Sequence, residues 1–180
     1  MERMTLILVA PGGGRPNVIA AGMAAAAGIR GARVNLGSIQ EPDIDVPGFA
    51  KAVQGLLQDV ELVIVYLEDG VGEAPFVYSI CEAIEDADID LVLHVACGRS
   101  TDDAVEAVDA LRAKGIEPSG LILDGAPTDD AKHTEARQFL SAVVGVPVVG
   151  ALPEGAEALE PSEFARRSVT WFDEDTEYDN

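Results

Sequence analysis

The chain has 180 residues, 48% of them apolar, which suits one ordinary domain with a sizeable core and excludes a disordered chain. Its 32 Asp and Glu against 12 Lys and Arg give a formal net charge of −20, and a surface that acidic repels nucleic acid and anionic membranes. Cys81 and Cys97 offer neither a metal-ligand spacing nor a disulfide framework. The apolar run in MERMTLILVAPGGG is too short for a signal peptide and no stretch is long enough to span a membrane, so the expectation is a soluble, cytoplasmic protein.

Strand-length apolar runs alternate with segments of helical period. TLILVA (5–10) reads as a first strand, and NVIAAGMAAAAGIRG (17–31) as a small-residue helix with Arg30 in its last turn and Gly31 as its stop. ARVNLG (32–37) reads as a second strand and PGFAKAVQGLLQDV (47–60) as a helix. ELVIVYL (61–67) is nearly all apolar, as a strand covered on both faces should be. PFVYSICEAIEDA (75–87) is helical with Pro75 in its first turn, and DLVLHVAC (90–97) is another buried strand. STDDAVEAVDALRAKG (100–115) carries the best helix signal. Ser100 or Thr101 caps it, Asp102 and Asp103 open it, and Arg112 and Lys114 precede Gly115. GLILD (120–124) is a strand, TDDAKHTEARQFLSAVVG (128–145) a helix capped by Thr128, and VPVVGAL (146–152) a last strand. The remainder holds one short helix and a frayed acidic end.

This alternation predicts an α/β fold, a three-layer, doubly wound, mainly parallel sheet with helices on both faces. One domain over 1–155 and an acidic C-terminal extension over 156–180 follow. In such sheets ligands bind beyond the carboxyl ends of the strands. The segment after the first strand is Pro11-Gly12-Gly13-Gly14-Arg15-Pro16-Asn17. Glycines let backbone N–H groups approach an anion, and the next helix adds its dipole. A catalytic phosphate loop, G-x-x-x-x-G-K-[ST], requires lysine and a hydroxyl where this chain has Arg15-Pro16-Asn17, and Pro16 removes one N–H from the cradle. Three readings stand: a tight turn into a helix packed closely on the sheet through Gly22 and its alanines, a surviving anion site in which Arg15 supplies the charge, or an intact catalytic loop.

Other strand ends carry Glu68-Asp69-Gly70-Val71-Gly72-Glu73, Cys97-Gly98-Arg99-Ser100-Thr101, Asp124-Gly125-Ala126-Pro127 and Pro153-Glu154-Gly155. Each acid among so many is a weak signal. The charge itself reads first as salt adaptation, because salt screens repulsion between hydrated carboxylates, and it resembles the composition of extreme halophiles. His94, mid-strand, is expected to be a buried neutral histidine, His133 to face water, Cys81 to be core, and Trp171 and Phe172 to dock on the domain itself.

The ordered set of segments resembles the dethiobiotin synthetase-like branch of P-loop proteins. That branch includes cobyrinic acid amide synthases and the N-terminal domain of some phosphotransacetylases. The resemblance rests on the strand–glycine loop–helix at 5–29, on LEDGVGE, on LRAKGIEPSGLILDGAP and on GVPVVGALPE, and it covers roughly residues 4–155. It implies ATP or another nucleotide with Mg2+ as cofactor, held by Gly12, Gly13, Gly14, Arg15, Asn17 and Asp124, with Glu68 matching the family's metal-side glutamate. It also implies a homodimer. The departures are the absent lysine and hydroxyl, and Asp124 where the family has an asparagine near the base. Without the lysine, phosphoryl transfer loses a major source of charge stabilisation. The expectation is thus a non-catalytic or regulatory domain that binds a nucleotide or small anionic metabolite, or assembles with a protein partner. The alternatives are an ATP-dependent ligase or amidase with Arg15 replacing lysine, and a structural dimeric subunit with no ligand.

Overall fold

The computed structural model describes residues 5–10, 15–40, 44–68, 74–84, 88–96 and 101–172. Six strands, β1 (Thr5–Ala10), β2 (Val34–Ile39), β3 (Leu62–Leu67), β4 (Asp88–Ala96), β5 (Gly120–Ala126) and β6 (Val148–Pro153), form one sheet in the order β2-β3-β1-β4-β5-β6. Every neighbouring pair is parallel, so each strand must be linked by a crossover, and helices supply it. These helices are α1 (Pro16–Ile29), α2 (Val46–Leu56), α3 (Ala74–Ala83), α4 (Thr101–Arg112) and α5 (Asp130–Val144), followed after β6 by a 3-10 turn at Ala156–Ala158 and by α6 (Pro161–Ser168).

The two-residue period of the strands sorts their side chains into two cores. Val63, Val65 and Leu67 of β3 and Leu121 and Leu123 of β5 point to the face covered by α2, α3, α4 and α5. Ile64 of β3 and Ile122 of β5, both fully buried, point to the face covered by α1, with Ile19, Ala20 and Ala26 opposite them. Each such isoleucine removed from water is worth about 1.5–3 kcal/mol. By the same alternation Asp124, two residues beyond Ile122, points to the α1 face at the carboxyl end of its strand.

The C-terminal segment completes the α1 face. Trp171 and Phe172 are buried in that core, and Trp171 meets Phe164 of α6 edge to face at 5.1 Å. Phe172 pairs with Gly150 of β6, and the Ala151 N–H donates to the Trp171 carbonyl at 2.7 Å. The two aromatics dock on the domain itself, as expected. Gly22 differs from its expected role. A Cβ there would lie 3.2 Å from the Phe172 ring and 3.7 Å from Phe164, so it is the C-terminal aromatics, not the sheet, that crowd this glycine.

Several boundaries differ from the sequence reading for local reasons. β2 begins at Val34 instead of 32, because the Ala32 N–H closes α1 onto the Ala27 carbonyl and Arg33 is held by Glu61. Just before Ala32, Gly31 takes φ +97°, a conformation that suits glycine. α2 stops at Leu56, where the chain tightens into Gln58-to-Gly55 and Asp59-to-Leu56 turns. β6 begins after Pro147, which has no N–H to give. The cap of α5 is Asp129, not Thr128. Its carboxylate accepts the Lys132 N–H at 3.0 Å, and Gly145 closes the far end at φ +72°.

Candidate functional site

The candidate site lies where α1 begins, at the carboxyl ends of β1, β5 and β6. Pro16 occupies the first turn of α1, where its missing N–H costs nothing. Arg15 precedes it in a non-helical conformation (φ −119°, ψ 71°), and its carbonyl accepts from Val18 at 3.0 Å and Ile19 at 3.1 Å. With its carbonyl turned into the helix, the Arg15 N–H is free to point outward, and it donates to Asp124 Oδ2 at 2.9 Å.

The Arg15 side chain turns to the same carboxylate. Nε donates to Asp124 Oδ1 at 3.2 Å and Oδ2 at 3.3 Å, and Nη2 donates to Asp124 Oδ1. Nη2 also lies 3.5 Å from the Pro153 carbonyl at the end of β6. The remaining corner of the guanidinium, Nη1, donates to Glu157 Oε2 in the 3-10 turn. Asp124 is 4% exposed, Arg15 27% and Glu157 50%, so the cluster grades from a buried carboxylate through a half-buried cation to a carboxylate in water. The hydrogen bond to Asp124 raises the Arg15 pKa, burial opposes it, and the charges of Asp124, Glu157 and Glu154 add to the rise.

Two consequences follow from this geometry. First, an anion already sits at the N-terminus of α1: the carboxylate of Asp124 receives both the backbone N–H and the positive end of the helix dipole. Second, one guanidinium faces two carboxylates, so the cluster as a whole carries a formal negative charge. In this arrangement two protein carboxylates already engage the guanidinium that a phosphate group would meet.

The other expected site residues are placed as follows. Asn17 is the second residue of α1 and is exposed. Glu68, directly after β3, donates its N–H to the Ile39 carbonyl at 3.0 Å and is half-buried. β1 and β4 separate β3 from β5, so Glu68 and Asp124 stand at strand ends three spacings apart, about 14 Å across the sheet. Among the described residues no three His, Cys, Asp or Glu side chains converge as metal ligands. Gly12, Gly13 and Gly14 lie outside the described residues, as do Asp69, Cys97, Arg99 and Ser100. His94 falls within β4, and His133 is half-buried on α5 instead of fully facing water. Cys81 is half-buried against the α2–α5 core, where burial pushes its thiol pKa up and away from reactivity.

Sequence reasoning missed Glu157. The rule that strand ends build the site does reach the segment after β6, but one glutamate among 32 acids carries no mark of its own. It also gave Arg15 and Asp124 separate roles, whereas the structure makes them partners across 109 residues of chain.

No helix among the described residues is long and apolar enough to cross a membrane. No protein-family model matches the chain. Over 78 residues, 42% of its length, it is 36% identical to the ATP-dependent dethiobiotin synthetase BioD of Rhodococcus erythropolis, and the match spans 34% of that protein. The solved structure of the 54 kDa signal recognition particle protein of Aeropyrum pernix K1, in complex with GDP, superposes with a TM-score of 0.64 at 16% identity. That superposition covers 94% of this chain and 46% of the other, and it is a likeness of fold. The chain thus shares its three-layer α/β fold with that structure and, over less than half of its length, sequence with part of a dethiobiotin synthetase.

Proposed function

We propose that this chain is a P-loop-like, dethiobiotin synthetase-like protein without catalytic activity, a regulatory or assembly domain whose strand-end site has weak affinity for a nucleotide or other phosphate-bearing anion. The observation that carries the reading is the engagement of Arg15 by Asp124 and Glu157. Phosphoryl transfer needs preorganised positive charge aimed at the transferred group. Here the cation after the glycine loop is already neutralised by two carboxylates, and no lysine stands beside it. Glu68 is the carboxylate that the family resemblance puts forward to hold Mg2+.

The same observation weighs against an ATP-dependent ligase in which Arg15 replaces lysine. The test is phosphate release from ATP and Mg2+ by the full chain in molar potassium chloride, beside Arg15→Ala. Turnover no faster than that of the variant fits a non-catalytic domain. Turnover that depends on Arg15 sinks the reading.

A further inference from the structure

Two carboxylates converge on one side chain. Arg15 has a buried partner that fixes it and a half-exposed partner that covers its outer corner. Asp124 takes Nε, Nη2 and the backbone N–H, so its grip is multidentate and buried. Glu157 takes Nη1 alone. An incoming anion would compete with these two carboxylates for the guanidinium, and an exposed ion pair is far easier to break than a buried one.

Glu157 is not a loose surface acid. It sits in the turn between β6 and α6, and the segment from there to Phe172 is fastened to α1 at both ends of that helix. At the start, Arg15 holds Glu157. At the finish, Arg30 Nη2 donates to the Val169 carbonyl at 3.1 Å and the Phe172 carbonyl at 3.3 Å. Trp171 and Phe172 are buried between those fastenings and the sheet. The fold itself presents Glu157 to the guanidinium.

We propose that Glu157 is a built-in competitor for phosphate-bearing ligands, a latch that closes the outer corner of Arg15 and sets a low affinity at the strand-end site. Asp124 orients Arg15 in both states, and an anion that enters takes the Nη1 corner that Glu157 leaves. This rests on the reading of the site as an anion site of low affinity.

The latch predicts a gain of affinity on removing a carboxylate, which a merely structural ion pair does not. The experiment is calorimetric titration of the full chain with ATP in molar potassium chloride. Glu157→Gln should bind about three- to fivefold tighter than the unaltered chain, the yield of one partly exposed ion pair. Glu154→Gln removes the same charge three residues earlier, where the carboxylate acts on Arg15 through its field, behind Asp124 and Glu157, and should change affinity by less than half of that. Because Glu157 is half-exposed, the variant should fold, and its thermal midpoint checks this.

Equal affinity in Glu157→Gln and the unaltered chain overturns the latch, and so does undetectable binding in both. An equal gain in Glu154→Gln also overturns it, since general acidity then explains the effect. Arg15-dependent turnover of ATP would refute the non-catalytic reading while leaving the affinity comparison to judge the latch.

Discussion

Replacing Arg15 by alanine strips the guanidinium from a carboxylate that is 4% exposed. Asp124 then loses its bonds from Nε and Nη2 and, among the described residues, keeps the backbone N–H of residue 15. Breaking a fully buried pair from one side costs about 3–5 kcal/mol. Arg15 is itself 27% exposed, so water reaches the gap and relieves part of that cost. The helix dipole still stabilises the orphaned charge. We therefore expect a loss of about 2–3 kcal/mol. Urea unfolding in molar potassium chloride measures it as a lower midpoint with an unchanged slope. Arg15→Ala combined with Asp124→Asn should lose less than the two single changes added together, because the first removes most of what the second could break. A loss below about 0.5 kcal/mol, or strict additivity, would refute the claim that this pair holds α1 to β5.

Other changes test other joints of the fold. Gly150→Val places a side chain 2.6 Å from the Phe172 ring and 3.1 Å from the Trp171 carbonyl, and should cost about 1–3 kcal/mol by overpacking, read by thermal unfolding with tryptophan fluorescence. Asp129→Ala removes the cap of α5 and should cost about 1 kcal/mol, whereas Thr128→Ala should be near neutral in the same denaturation assay. Glu61 is held below its ordinary 4.5 by the Arg33 backbone and side chain, so its contribution is present above that value and fades as pH falls through the lower folded value. A stability-against-pH series should therefore be flatter below 4.5 in Glu61→Gln than in the unaltered chain. Dilution of potassium chloride should lower the unfolding midpoint of a chain with net charge −20, as screening of its carboxylates is withdrawn.

The layered fold was legible because its signals are local. LVIVYL has no polar position, which only a strand covered on both sides tolerates, and the helices between strands carry their own stops. Boundaries failed where a residue serves a distant group. Arg33 looked like part of β2, but Glu61 takes it, and Asp129 outcompetes Thr128 for the same cap. The site was half legible. Its position at the strand ends was expected from the sheet, and Arg15 and Asp124 were named as candidates from the glycine loop and the family resemblance. Their mutual engagement does not, because it depends on how the face of β5 meets the start of α1. Glu157 and its fastening through Arg30 and the C-terminal aromatics depend on tertiary packing alone.

The Arg15 guanidinium is committed to protein carboxylates before any ligand arrives. Side-chain NMR of arginine Nε–H groups in the ligand-free chain tests it directly, with the Arg15 signal identified by its loss in Arg15→Lys. The account predicts a slowly exchanging, immobilised Arg15 Nε–H without nucleotide, changed little by Asn17→Ala and released by Asp124→Asn. An Arg15 Nε–H that exchanges freely in the ligand-free chain, and becomes protected only when ATP and Mg2+ are added, would contradict it.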